Sequence, residues 1–421
     1  MDENLNSLRV VIIGGGPGGT ACALALQRQA AQHGRRVHIT IIEGKQFLDE
    51  KHYNQCVGVL SPPLPELLEN DLGITFPMQL CLVEIQGYVL HSSGEQITLQ
   101  GAGEDSYAVR RVLFDQYMLE QVRLAGIEIL SARAVDLEFH ADKVIIYTEN
   151  LPLEADVVVG AFGLDEGSAS MFSRLTDYRP PRAMNSLVTK FDPQNQAESN
   201  LEGYIHAFLL SNPRIEFGAV TPKCSHCTIN IAGDWVDTPL MDRFLSHKQV
   251  QKVLPELNGG QVQQNHHLIY FKGRFPRSLA RGYYGDRYVM IGDAAGLVRA
   301  FKGKGITTAV MTGIRAAETI LEHGYTRQDF HDFYRTANQD IIQDLPYGRA
   351  MRLLTLFMSR VGLINPVLRA AETSPDLQSA LFDAVSAHAL YSEVFAKSLR
   401  LNTVFAILKA ILQGSNSSGK K

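Results

Sequence analysis

An α/β fold is predicted for this 421-residue chain: a parallel-sheet domain, an antiparallel-sheet domain and a C-terminal helical region. Three observations predict it. The apolar run Arg9–Ile13 breaks into a glycine cluster and then an alanine-rich stretch, Thr20–Gln32. A second buried-type run, Tyr288–Ile291, ends in Gly292-Asp293 and leads to a helical pattern from about Ile306. Residues 182–275 carry short strand-like runs and turns with little helix, and from 326 onward the pattern is almost entirely helical.

The bulk numbers are those of a soluble globular chain too long for one small core, with 45% hydrophobic and 20% charged residues. A net charge of −4, from 40 basic and 44 acidic residues, gives no ground for a nucleic-acid partner. The five cysteines, Cys22, Cys56, Cys81, Cys224 and Cys227, are too sparse for a disulfide framework and point to a reducing compartment. The polar N-terminus is not a secretory signal, and no apolar run reaches the ~18 residues of a membrane span. The expected location is therefore cytoplasmic. The apolar, cation-dotted stretches 350–368 and 401–412 read as helices packed on the body. Their alternative is a peripheral membrane face. The tail Gly414–Lys421 is expected to be disordered.

The first strand, its helix and a second strand, Val37–Ile42, make a β-turn-α-β unit, with Gly34 as helix stop. Its turn is Gly14-Gly15-Gly16-Pro17-Gly18-Gly19, which contains G-x-G-x-x-G. Gly14 allows the tight turn, Gly16 lets a pyrophosphate approach the backbone, and Gly19 lets the helix close on the strand. The helix start, with Pro17 and Gly18, offers free N–H groups to phosphates. Glu43, at the end of the second strand, can accept both hydroxyls of an adenosine ribose. Together these predict dinucleotide binding.

The second turn favours FAD over NAD. An extended flavin needs a contact far from its adenine end, and Asp293 can accept from a ribityl hydroxyl. The backbone N–H groups near Gly303, Lys304, Gly305 and Ile306 can face the flavin pyrimidine edge, where negative charge appears on reduction.

These segments resemble the group-A flavoprotein fold, and within it most closely the geranylgeranyl reductase family. Gly292–Gly296 keeps the family's Gly-Asp-Ala-Ala-Gly, while Ala300 replaces its usual proline and Lys304 its usual acid. Arg111-Val112-Leu113-Phe114-Asp115 is similar to the family's R-x-x-F-D, which implies that Arg111 lies beside the flavin. Asn54-Gln55-Cys56-Val57-Gly58-Val59-Leu60-Ser61 is similar to its Cys-Gly-Gly loop, which implies that Cys56 is near the isoalloxazine. Asp156–Gly163 is similar to its central strand and following turn. The resemblance covers roughly residues 8–325 and thins in the substrate sheet. There Phe217–Pro222 keeps only the proline and one aromatic of a Trp-x-Phe-Pro strand.

The resemblance implies a Rossmann-type FAD-binding domain in three parts, 1–60, 106–177 and 276–325. A substrate-side insertion at 61–105, an antiparallel-sheet substrate domain at 178–275 and a C-terminal helical region at 326–421 complete it. It implies an FAD-dependent reductase that hydrogenates a carbon–carbon double bond of a hydrophobic, isoprenoid-like substrate. No second G-x-G-x-x-G is present, so NAD(P)H is expected to bind transiently as reductant. The alternatives are a monooxygenase acting through a flavin hydroperoxide and an electron carrier to a quinone or protein. A halogenase is disfavoured, because the one tryptophan, Trp235, cannot supply a Trp-x-Trp-x-Ile-Pro motif. No metal is expected: Cys224-Ser225-His226-Cys227 reads as a hairpin turn rather than half a zinc site. His266-His267 and Tyr283-Tyr284 read as strand or turn residues.

Overall fold

Val10–Ile13 is buried on both faces, which suits a strand in the middle of a covered parallel sheet. In the computed structural model, which describes residues 7–45, 56–100, 106–193, 201–257, 268–298, 305–386, 389–398 and 410, it is such a strand. The six-stranded sheet runs Tyr284–Gly285, Tyr288–Met290, Val157–Gly160, Leu8–Ile13, Val37–Ile42 and Glu128–Leu130. All neighbours are parallel except the first pair. The C-terminal ends at Ile13, Gly160 and Met290 therefore open on one edge, where α/β sheets bind ligands.

The helix Pro17–Gln32 begins at the glycine turn and ends where Gly34 takes φ +62°. Its small residues Ala21, Cys22 and Ala25 are fully buried. The helix Gly305–Glu322 crosses it closely: a Cβ on Gly313 would sit 2.4 Å from the Gly18 carbonyl oxygen. Glycine at that crossing lets both helices rest on the same sheet.

The second sheet has seven strands, in the order Tyr270–Pro276, Ala183–Phe191, His226–Gly233, Phe217–Lys223, Tyr204–Phe208, Gly87–His91 and Gln96–Leu99. Its pairs are antiparallel except Tyr204–Phe208 with Gly87–His91, which run parallel. The expectation of little helix in this stretch is corrected by Thr238–Leu245 and Lys248–Val253. Each has a local start signal. Asp237 accepts from the Leu240 N–H at 3.0 Å, and the His247 ring accepts from the Gln249 N–H at 3.2 Å. Both helices bury Leu240, Met241, Phe244 and Val250 against one face of the sheet. On the other face, Leu90, Ile205 and Ala207 meet Ile364, Leu368 and Leu377 of the C-terminal helices.

The parallel pair buries two histidines. His91 Nε2 and His206 Nδ1 lie 2.9 Å apart, and the His91 ring stacks on Phe208 at 4.5 Å. Burial, then the nearby His206 and Lys252, push His91 down to about 3. An unfolded histidine titrates near ~6.5, so below that pH the unfolded chain binds the extra proton. The contribution of His91 is therefore flat above about pH 6.5 and falls with acidification, by about 1.4 kcal/mol per pH unit. Urea unfolding at pH 7, 6 and 5 checks this. His91→Phe should reduce the acid slope, with the half-buried His226 and His247 keeping part of it, and a slope unchanged in that variant would move its origin elsewhere.

Candidate active site

The glycine turn owes its shape to contacts that only glycine allows. Gly14 has φ +111°, and a Cβ there would meet the Ala161 carbonyl oxygen at 2.5 Å. A Cβ on Gly19 would lie 2.0 Å from the Gly14 oxygen. Nothing lies within 4 Å of the Cβ position of Gly16, so the turn opens there. Pro17 is the first helical residue, and no acidic side chain stands in the first turn. Beside the turn, Glu43 accepts from Gly15 N–H at 2.8 Å and from Lys45 N–H at 2.7 Å. Each carboxylate oxygen keeps a lone pair for a further donor. An open glycine cradle, a helix N-terminus without competing anions and a half-buried carboxylate suit an adenine dinucleotide.

The second turn sits on the same sheet edge. Gly292 has φ +55° and donates to Thr312 Oγ1 at 3.0 Å. Gly296 has φ +70°, and a Cβ on it would lie 2.1 Å from the Ser278 oxygen. Between them, Asp293 is pushed up to about 6 by burial, with Arg111 pulling the other way. Gly305 opens its helix with its Cβ position 3.9 Å from Asp293 Oδ1, so this helix start and the carboxyl are neighbours. Ile306 is buried, and Thr307 Oγ1 donates to the Ser61 oxygen at 2.9 Å. That bond ties the helix start to the cysteine loop. Gly303 and Lys304, like Ala300, Asn54, Gln55, His266 and His267, lie outside the described residues.

Arg111 begins the helix Arg111–Leu124 and joins the second turn to the cysteine loop. Its Nε is 2.6 Å from Asp115 Oδ1, and its guanidinium also hydrogen-bonds Cys56. Burial works against this charge, yet Asp115 and Cys56 hold it above its ordinary pKa. Gly58 N–H donates to Cys56 Sγ at 3.3 Å. Gly58 itself has φ +70° and a Cβ position 2.5 Å from the Val109 oxygen.

Asp293, the start of the Gly305–Glu322 helix, Arg111 and Cys56 thus form one contiguous group. The adenosine-side group, Gly14–Gly19 with Glu43, lies along the same edge. Sequence reasoning does not point to Lys223, which the fold buries beside Cys56. The hairpin reading of Cys224–Cys227 agrees with the structure. Cys224 takes φ +60° at the turn between the strands Phe217–Lys223 and His226–Gly233 and is exposed, while Cys227 is buried.

No known family model matches the chain. It is 26% identical over 338 residues to chloroplastic geranylgeranyl diphosphate reductase of Nicotiana tabacum, covering 76% of this chain and 67% of that protein. It is 23% identical over 333 residues to digeranylgeranylglycerophospholipid reductase of Methanothrix thermoacetophila, covering 74% and 77%. A crystal structure of a geranylgeranyl bacteriochlorophyll reductase-like protein from Thermoplasma acidophilum matches the fold with a TM-score of 0.63 at 18% identity, covering 96% of each chain. The chain spans about two thirds of the length of the plant reductases it matches. Their similarity agrees with the two turns and the carboxylate beside the first: the chain is an FAD-dependent oxidoreductase similar to the geranylgeranyl reductases.

Proposed function

We propose that the chain is an FAD-dependent reductase that saturates carbon–carbon double bonds of an isoprenoid-like substrate, with NAD(P)H as transient reductant. The similarity to named geranylgeranyl and digeranylgeranyl reductases over about three quarters of the chain carries this reading. Gly14, Gly16, Pro17, Gly18 and Gly19 would hold the pyrophosphate, and Glu43 the ribose. Asp293 would hold the ribityl chain, with Gly292 and Gly296 allowing its turn. Arg111 and the backbone of Gly305 and Ile306 would flank the ring system. Cys56 would line the substrate face. The bound flavin supplies hydride, and the residues position, exclude water and supply the proton.

The test is anaerobic mixing of reduced holoenzyme with geranylgeranyl diphosphate. The expected result is return of oxidised flavin with a product heavier by one hydrogen molecule per double bond. Failure of that substrate to reoxidise the flavin, with an oxygenated product formed in air through a flavin hydroperoxide, overturns the reading in favour of a monooxygenase.

Contact with a membrane surface belongs to the same proposal. Among the described residues no single helix is long and apolar enough to cross a membrane. The helix Gln339–Arg360, however, ends in an exposed stripe of Leu353, Leu354, Phe357 and Val361, flanked by exposed Arg349 and Arg360. Cations beside an apolar stripe suit anionic lipid headgroups. Burying such side chains contributes ~1.5–3 kcal/mol each. Leu354→Glu with Phe357→Glu should weaken sedimentation with phosphatidylglycerol vesicles at least tenfold. Unchanged sedimentation would remove this face from membrane contact.

A further inference from the structure

Lys223 ends the strand Phe217–Lys223 of the substrate sheet and is only 4% exposed. Among the described residues its ammonium donates to one acceptor, the Val109 carbonyl oxygen at 2.7 Å, and pairs with no carboxylate. Among the described residues, two of its three N–H donors are therefore uncommitted. A buried ammonium without a carboxylate partner is unfavourable for folding. Gly58, whose φ of +70° and contact with the Val109 oxygen already favour glycine, also leaves its Cβ position 3.0 Å from Nζ.

Among the described residues, the titratable groups that face Lys223 come from several elements. Cys56 comes from the loop, Arg110 from just after the Ser106–Val109 strand, Lys190 from the strand beyond His226–Gly233, and His226 from across the hairpin. Burial, and then Lys190 and Arg110 against the pull of Cys56, bring the ammonium down to about 8. Cys56 is the other protic group at this point, but its sulfur already accepts from Arg111 and from Gly58 N–H. Two donors aimed at one sulfur suit an acceptor rather than a proton source.

We propose that Lys223 is the general acid of the double-bond reduction, a role that rests on the reductase reading above. The π bond of the substrate breaks. One carbon receives hydride, with its electron pair, from the reduced flavin. The other carbon takes a proton from Lys223 Nζ, whose N–H electrons stay behind as the amine lone pair. Solvent reprotonates the amine before the next turnover. A buried amine with free donors and a pKa near working pH is suited to this task.

The experiment follows flavin reoxidation by geranylgeranyl diphosphate in a single turnover of pre-reduced holoenzyme. The wild-type rate should fall as pH rises through about 8. Lys223→Met should slow reoxidation by about 10²-fold or more and abolish that pH limb. FAD affinity and the rate of flavin reduction by nicotinamide should stay at wild-type values. Lys223→Arg keeps the charge and the bond to Val109 but cannot release a proton near neutrality, so it should be slow as well. Rescue by arginine overturns the proposal in favour of a structural cation. A variant that raises only the KM for the diphosphate, with the pH limb kept, overturns it in favour of an anion-holding residue. If the variants do not fold, the wild-type profile still decides, because a rate flat from pH 7 to 9 overturns the proposal. A wild type that never reduces the isoprenoid overturns the reductase reading itself, and the proposal with it.

Discussion

Gly19→Val is expected to yield a protein that holds no flavin and unfolds at much lower urea concentration than the parent. The reason is contact rather than backbone preference, because Gly19 is not among the glycines with positive φ. A Cβ at this position would lie 2.0 Å from the Gly14 oxygen and 3.1 Å from Ala161 Cβ. Neither neighbour can move away. Gly14 donates to the Ile42 oxygen at 2.9 Å, and its own Cβ position is already blocked by the Ala161 oxygen. The helix Pro17–Gln32 would have to lift from the strand Leu8–Ile13. That shift would break the crossing where Gly18 and Gly313 nearly touch. Overpacking against backbone falls in the severe tail of substitution effects, about 3–5 kcal/mol. The matched control is Gly34→Ala, where φ is +62° but nothing lies within 4 Å. It carries conformational strain alone, about 1 kcal/mol, and should retain flavin. A Gly19→Val protein with wild-type FAD content and urea midpoint would mean that helix and strand are not held this close.

That contrast also marks what a sequence can reveal. The strand, glycine turn, helix and second strand depend on neighbours within a few tens of residues, so their spacing was readable. The same holds for the Gly292-Asp293 turn and for the helix Gly305–Glu322, expected from about Ile306. The two short helices Thr238–Leu245 and Lys248–Val253 were hidden by their length. Their apolar stripes are only a turn or two long, although Asp237 is a visible capping signal. Long-range pairing was not readable. His91 and His206 meet because the strands carrying them pair in parallel inside a sheet expected to be antiparallel. The burial of Lys223 depends on a carbonyl at Val109 and on a loop glycine at Gly58. Neither stands near it in sequence, and lysine at a strand end ordinarily reads as solvated.

Glu43→Ala is expected to weaken FAD binding by apoprotein at least tenfold while the fold persists. In the free protein the carboxylate already has two tasks, accepting from Gly15 N–H at 2.8 Å and from Lys45 N–H at 2.7 Å. These bonds fix the rim of the glycine turn. Lys45 is exposed, so water can replace the carboxylate there, whereas Gly15 is buried and its N–H loses its acceptor, so the loss of stability should be about 1–3 kcal/mol. Ribose hydroxyls have no such substitute. Each would lose a charge-assisted bond of ~1.5–3 kcal/mol, so one such bond alone corresponds to a tenfold loss of affinity or more. Glu43→Gln separates charge from shape. Its amide keeps one acceptor oxygen but presents donors where the second acceptor stood, so its affinity should fall between parent and alanine. Titration of apoprotein with FAD, followed by quenching of flavin fluorescence, gives the affinities, and urea unfolding of the same apoproteins gives the stabilities. Equal affinity in parent and Glu43→Ala would place the ribose away from this carboxylate. A large loss of stability without a change in affinity would make Glu43 a brace for the loop and nothing more.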